Sequence, residues 1–199
     1  ITGEHYLRIS HCLIGLPGAQ ISDIRRVISH PQALAQCENT LRALPGVKIE
    51  QVYDTAGSVK MVKELGDPGV AAVASRRAAE IYEMPVLRAS IEDNPENYTR
   101  FQMIACQAVD PGPDAKTSIV FAMNNQPSAL FRAMSVFALR QIDLTKIESR
   151  PLIGKPWEYY FYIDFTGSIS DPVVQRALAN LQEYCTFLRV LGSYPRYRA

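Results

Sequence analysis

The stretch Asp110-Pro111-Gly112-Pro113-Asp114 constrains this 199-residue chain more than any other. Each proline fixes φ near about −65° and removes an amide donor, so neither a helix nor an inner strand runs through it. It therefore divides the chain into two halves of similar composition. At 47% hydrophobic residues the chain has enough apolar mass for one sizeable core or two small ones.

After the proline cluster the pattern predicts strands at Thr117–Met123, Leu144–Pro151, Trp157–Phe165 and Phe187–Leu191, with helices at Pro127–Arg140 and Asp171–Tyr184. That order, βαββαβ, is the ferredoxin-like arrangement of an antiparallel sheet carrying both helices on one face. Ala129, Ala133, Val136 and Phe137 recur near helical spacing, as do Val174, Leu178, Leu181 and Cys185, so each helix has one face for the sheet. Tyr160, Tyr162 and Asp164 alternate with Phe161, Ile163 and Phe165, which suits a strand covered on one side only, its other face open to a second subunit.

Before the cluster, short apolar runs predict strands at Lys48–Tyr53, Gly69–Ser75, Val86–Ile91 and Tyr98–Cys106. Helices are expected at Pro31–Ala43, Ala56–Leu65 and Arg76–Tyr82, the first burying Ala33, Leu34, Cys37, Leu41 and Leu44 and turning Gln36, Glu38 and Arg42 to water. Alternation of this kind predicts an α/β domain with a largely parallel sheet.

Charge excludes one class of partner. Lys and Arg total 21 against 20 Asp and Glu, leaving no broad positive field for nucleic acid or an anionic membrane surface. Apolar runs such as Val70–Ala74 are far shorter than the roughly 20 residues that span a bilayer. Cys12, Cys37, Cys106 and Cys185 lack Cys-x-x-Cys spacing and predict reduced, buried thiols. His5, His11 and His30 form no pair at ligand spacing beside carboxylates, so no metal is expected. Ile1-Thr2-Gly3-Glu4 has neither an initiator methionine nor a secretory pattern, and the chain is expected to begin within a longer protein.

Several polar segments could carry chemistry. At Asp54-Thr55-Ala56-Gly57-Ser58 a strand gives way to a helix, where small side chains leave backbone amides open to an anion, although Asp54 or Thr55 as an ordinary N-cap explains the same residues. His30 to Cys37 reads His-Pro-Gln-Ala-Leu-Ala-Gln-Cys, and Pro31 accounts for much of it as a helix-start residue. Asn97-Tyr98-Thr99-Arg100-Phe101 begins a strand after an acidic turn, a common place for ligand groups in α/β folds. Glu148-Ser149-Arg150-Pro151 ends a strand, since Pro151 cannot donate to the ladder.

Taken together these segments resemble the prephenate and arogenate dehydratases along essentially the whole chain. The resemblance rests on Thr99-Arg100-Phe101, His30 to Cys37, Asp54 to Ser58, the βαββαβ order, Glu148-Ser149-Arg150-Pro151 and the ending Phe187-Leu188-Arg189-Val190-Leu191-Gly192-Ser193-Tyr194-Pro195. It implies an α/β fold in which part of a two-lobed catalytic domain, resembling a periplasmic binding protein, spans residues 1–109. Residues 110–116 form a linker and residues 117–199 a ferredoxin-like ACT regulatory domain. The family's glycine-rich opening and Glu-Asn-Ser segment are not found, so the chain is expected to start after them.

The resemblance also implies a reaction. Prephenate loses a ring hydroxyl and a carboxyl group as carbon dioxide, giving phenylpyruvate; arogenate by the same steps gives phenylalanine. Aromatisation supplies the driving force and no cofactor is implied. Thr99 takes the catalytic role, its hydroxyl donating to the departing oxygen. Arg100 holds a substrate carboxylate through its planar fork, and Phe101, Asn97, Thr55 and Ala56 line or support the substrate site. Phenylalanine, the effector, binds between Pro127-Ser128-Ala129-Leu130 and Glu148-Ser149-Arg150-Pro151, with Ser128 replacing the family's usual glycine. A homodimer or homotetramer through ACT domains is implied. The short Gly154–Tyr159 connection resembles bacterial prephenate dehydratases and a cytoplasmic enzyme; the plant arogenate enzyme of the plastid stroma is the alternative. A chain acting only as a phenylalanine-binding module is a further alternative, and a transport-type binding protein shares the lobe architecture without an ACT domain.

Overall fold

Val70-Ala71-Ala72-Val73-Ala74 is buried at every position in the computed structural model, which describes residues 1–155 and 157–198. A run of this kind belongs at the centre of a sheet covered on both faces. The chain divides into two compact units, Leu7–Thr99 on one hand and Ile1–Tyr6 with Arg100–Ala199 on the other. It passes between them within strand β1 (Gly3–Arg8) and again, at the Thr99–Arg100 peptide, within β7 (Tyr98–Met103); these two strands pair with each other.

In the Leu7–Thr99 unit, β2 (Cys12–Ile14), β3 (Arg26–Ser29), β4 (Lys48–Gln51), β5 (Val70–Ala74) and β6 (Val86–Arg88) form one sheet in the order β4-β3-β5-β2-β6. β3 is parallel to β4 and β5, whereas β2 runs antiparallel to β5 and β6, so the parallel sheet that was expected contains one reversed strand. Period-two alternation divides β5 between two cores. Ala71 and Val73 pack with Leu13, Val27, Leu34 of α1 (Pro31–Ala35) and Leu41 of α2 (Glu38–Arg42). Val70, Ala72 and Ala74 pack with Ile14, Val59 and Val62 of α3 (Thr55–Leu65), and Ala78 and Ala79 of α4 (Arg76–Tyr82).

The single helix expected at Pro31–Ala43 is thus two. Cys37 leaves the helical region at φ −123°, ψ 20°. Asp93 accounts for the break: its amide donates to the Gln36 carbonyl at 2.7 Å and its carboxylate accepts from the Asn39 amide at 3.2 Å, opening a fresh helix start. By contrast α3 runs as one piece from Asp54, which caps it, to Gly66, which ends it in the left-handed region at φ 64°.

The other unit contains β8 (Ala115–Ala122), α5 (Ala129–Ala138), β9 (Leu144–Pro151), β10 (Tyr159–Thr166), α6 (Pro172–Tyr184) and β11 (Phe187–Pro195). The strands form an antiparallel sheet in the order β11-β8-β10-β9, with Ile163 opposite both Ile119 and Ile147. Both helices share one core with the sheet, in which Phe121, Phe137, Phe165 and Leu181 are fully buried; each such side chain contributes about 1.5–3 kcal/mol of burial. The six elements match the sequence expectation to within a few residues. Pro156, in the Gly154–Tyr159 connection, lies outside the described residues.

Two expectations need correction. The sheet face opposite the helices is not uniformly open: Lys116, Ser118 and Asp164 are buried there, beneath Glu4 and Arg100 of the same unit. Cys106 is exposed, whereas Cys12 and Cys37 are buried and Cys185 is half-buried; all four are free thiols. Among the described residues no helix is long and apolar enough to cross a membrane, and no group of three or more His, Cys, Asp or Glu is placed to hold a metal ion.

Candidate functional site

Within the Leu7–Thr99 unit, strands β3 and β4 end beside the starts of α1 and α3, the edge of an α/β sheet where ligands commonly bind. A depression of about 180 Å³ lies there, lined by Ile9, His11, His30, Gln32, Ala33, Gln36, Thr55 and Thr99. Thr99 arrives on β7, Thr55 is the first residue of α3, and His30 caps α1 by accepting the Gln32 amide at Nδ1. In the neutral ring that bond leaves the proton of His30 on Nε2.

The structure thus brings Thr99 and Thr55 together. Ala56 does not line the depression, and its amide, with that of Gly57, is taken by the Asp54 carboxylate at 3.2 and 2.9 Å. The open-amide reading of that helix start gives way to the N-cap reading. Asn97 contributes its carbonyl to the Ile9 amide at 2.8 Å.

Two lining residues escaped sequence reasoning. Gln36 was expected to face water, but it lines the depression with Gln32 and Ala33 of the same helix, and its Oε1 lies 2.8 Å from His11 Nε2. His11 is only 6% exposed. Its backbone amide donates to Glu92 Oε2 at 2.9 Å, and Ser10 Oγ donates to the same oxygen at 3.3 Å. Burial works to raise the Glu92 carboxyl, but these hydrogen bonds and Arg8 hold it below its ordinary value, so it remains an anion that anchors the His11 backbone. Next to Gln36, burial, reinforced by Asp93 and Glu92, pushes the Cys37 thiol up to about 12, which disqualifies it as a nucleophile. The only sequence signal for Gln36 was its membership in the His30-to-Cys37 run.

Arg100 belongs to the other unit and is engaged there. Its Nη1 donates to Asp164, its Nη2 donates to Tyr194 Oη at 2.7 Å, and its Nε lies 2.8 Å from Glu4 Oε2, an ion-pair distance without hydrogen-bond alignment. Lys116 Nζ holds the second Glu4 oxygen at 2.6 Å, and Ser118 contacts both Asp164 and Tyr194. The structure therefore gives the Arg100 guanidinium protein partners where a substrate carboxylate was expected. Phe101 is half exposed at 52%.

A second depression, of about 200 Å³, opens at the start of α5 and is lined by Ser128, Ala129, Leu130, Phe131, Trp157, Tyr159 and Phe161 among others. Pro127 is not in its lining. Ser128 sits at φ 64°, in the left-handed region that favours glycine, without a side-chain capping bond. Glu148, Ser149, Arg150 and Pro151 do not line this depression. They lie on edge strand β9, with Ser149 opposite Phe161 and Pro151 opposite Tyr159. Glu148 is held by Lys146 at 2.8 Å and Arg150 at 2.5 Å on its own strand, and the hydrogen bond from Lys146 leads in keeping its carboxyl below the ordinary range.

Comparison with known proteins places the chain in a family. The prephenate dehydratase family model matches residues 1–108. Arogenate dehydratase/prephenate dehydratase 2, chloroplastic, of Arabidopsis thaliana is 50% identical over 98% of the chain and 54% of its own length. The chain thus spans about half the length of the curated relatives it matches. Among solved structures, the prephenate dehydratase of Arthrobacter aurescens in complex with L-Phe superposes at a TM-score of 0.83, with 33% identity over 98% of this chain and 65% of that one. A structure described as GqqA, a novel type of quorum quenching acylase, does so at 0.84, with 37% identity over 99% and 72%. With a family model covering more than half of its residues and a relative of 50% identity along nearly all of it, the chain belongs to the prephenate dehydratase family.

Proposed function

We propose that this chain is part of a dehydratase of phenylalanine biosynthesis that converts prephenate to phenylpyruvate. The observation carrying this reading is that Thr99 opens into one depression with Thr55, His30 and Gln36, a set of hydroxyl, imidazole and amide groups suited to an oxygen-rich anion. Prephenate breaks two bonds in the reaction: the carboxyl carbon leaves as carbon dioxide, its electron pair enters the ring, and hydroxide departs from the opposite ring carbon to leave as water once protonated. The ring becomes aromatic, so the protein need only orient the dianion and stabilise negative charge on the departing oxygen. Thr99 supplies that hydrogen bond, with Thr55 at the same wall. Arogenate, with an amino group in place of the keto oxygen, is the second reading, favoured by the names of the plant relatives; those relatives also favour the plastid over the cytoplasm as its compartment.

The test is phenylpyruvate formation by the purified chain, alone and supplied with the N-terminal half of the Arabidopsis relative. Thr99→Val is expected to lower turnover by about 100-fold or more and Thr99→Ser to retain most of it; equal turnover by all three forms would refute the assignment. Comparing arogenate in the same assay separates the two substrates, and an N-acyl amide substrate tests the acylase chemistry named for one structural neighbour.

We further propose that the βαββαβ region is an ACT regulatory domain whose depression at Ser128, Ala129 and Leu130 takes phenylalanine. A second copy of the chain would complete that site by bringing the Glu148–Pro151 edge strand to it. The support is the exposure of large apolar side chains, Phe131 at 73% and Trp157 at 75% around the depression and Ile147 at 52% on β9, and a strand edge whose backbone is unpaired on one side. Sedimentation with and without phenylalanine tests it: a ligand-independent monomer would refute the shared site.

A further inference from the structure

Gln36 reaches the depression with a buried imidazole behind it. We infer that His11 is a positioning residue: its Nε2–H fixes the Gln36 carboxamide by Oε1 so that the amide N–H groups of Gln36 face the depression beside Thr99. This rests on the proposal that the depression is the dehydration site.

Three observations carry it. The ring is buried and lines the same depression as Gln36 and Thr99, and its Nε2 lies 2.8 Å from Gln36 Oε1. Its Nδ1 is buried with no hydrogen-bond partner among the described residues. A proton on Nδ1 would leave a buried N–H donor unpaired, which folded proteins avoid more strictly than a bare acceptor; the neutral ring therefore carries its proton on Nε2 and donates to Gln36. Finally, Gln36 is held at three points: its amide donates to the Gln32 carbonyl at 3.1 Å, its carbonyl accepts from Asp93 at 2.7 Å, and its Oε1 meets His11. The side-chain amide nitrogen alone has no partner among the described residues and is not enclosed, so its two N–H groups remain for a ligand. An amide fixed in this way offers donors only, which fits a carboxylate or a departing hydroxyl oxygen and not a cation.

The experiment uses the chain in its turnover-competent form, alone or supplied with the N-terminal half of the Arabidopsis relative. His11→Asn removes the donor at the Nε2 position, while His11→Gln keeps an N–H close to it. His11→Asn is expected to lower kcat/KM by about 10- to 100-fold and His11→Gln to recover much of the loss. In a Gln36→Leu background, where there is no carboxamide to hold, His11→Asn is expected to cost less than about 3-fold, because the two residues act as one unit. Losses that multiply independently, or no loss in His11→Asn, overturn the inference. Nitrogen-15 NMR of the imidazole in the unaltered chain supplies a readout independent of activity. A proton on Nε2 supports the inference and a proton on Nδ1 refutes it, even if Thr99 substitutions show that the site does other chemistry.

Discussion

Replacing Arg100 by methionine should destabilise the unit formed by Ile1–Tyr6 and Arg100–Ala199 by about 3–5 kcal/mol, the cost of removing one partner from a buried ion pair. The side chains concerned are well enclosed: Glu4 is 0%, Asp164 7% and Arg100 16% exposed. Methionine keeps the length of the stem and removes the charge, so Asp164 would retain only the Ser118 hydroxyl and Glu4 would depend on Lys116 and polar neighbours. Since Arg100 is not fully enclosed, the lower end of the range is the better figure. With a urea slope of about 1–2 kcal/mol/M, a loss of about 3 kcal/mol moves the midpoint by about 1.5–3 M. Hydrogen exchange of amides in β8, followed against urea, confines the measurement to this unit. Arg100→Met/Asp164→Asn should recover part of the loss, because it no longer strands a charge in the interior. A shift below about 1 kcal/mol would show that the cluster does not hold Arg100, and would return its guanidinium to the substrate.

Glu92→Gln tests the anchor behind His11. Because the folded carboxyl titrates below its ordinary value, its stabilisation is fully present above about pH 4.5 and disappears as pH falls through the folded value. The variant should therefore unfold more easily than the unaltered chain near neutral pH, and the two stability curves should converge as pH drops below about 4; a constant gap would refute this. Ser128→Gly relieves a left-handed residue that has no capping bond to offset its strain, so a gain of up to about 1 kcal/mol is expected in thermal unfolding, together with altered phenylalanine binding if that depression is the effector site. A loss of stability would show that Ser128 makes a contribution its geometry does not reveal.

Where the chain's own periodicity decides the structure, the sequence could be read directly. From β8 to β11 the strands are eight or nine residues long, β10 alternates in sequence, and each helix has one apolar face, so six elements follow from local spacing. Near the beginning it fails: β1, β2 and β3 are three to six residues long, and Cys12–Ile14 owes its strand conformation to pairing with β5 and β6, strands far along the chain. The division of Pro31–Ala43 has a similar cause, since Asp93 is remote in sequence from the turn it interrupts. Thr99 and Thr55 could be picked out by family resemblance. His11 and Gln36 could not be paired, because they lie 25 positions apart and meet only through the tertiary fold. The protein partners of Arg100 were out of reach for a complementary reason: Asp164 and Tyr194 lie 64 and 94 positions along the chain, beyond any motif.

The interruption at Cys37 also limits how this chain can change. Successive helical residues are turned by about 100°, so a stronger helix former at Cys37 would swing α2 about the axis and hand the Gln36 carbonyl to the helix in place of the Asp93 amide. Substitutions that make this segment a better helix in isolation would loosen its hold on Asp93. The same Asp93 contacts that cost the chain a regular helix tie the Gln36 backbone to the segment carrying Glu92, the carboxylate that anchors His11, so local regularity and tertiary fastening are in opposition along these few residues.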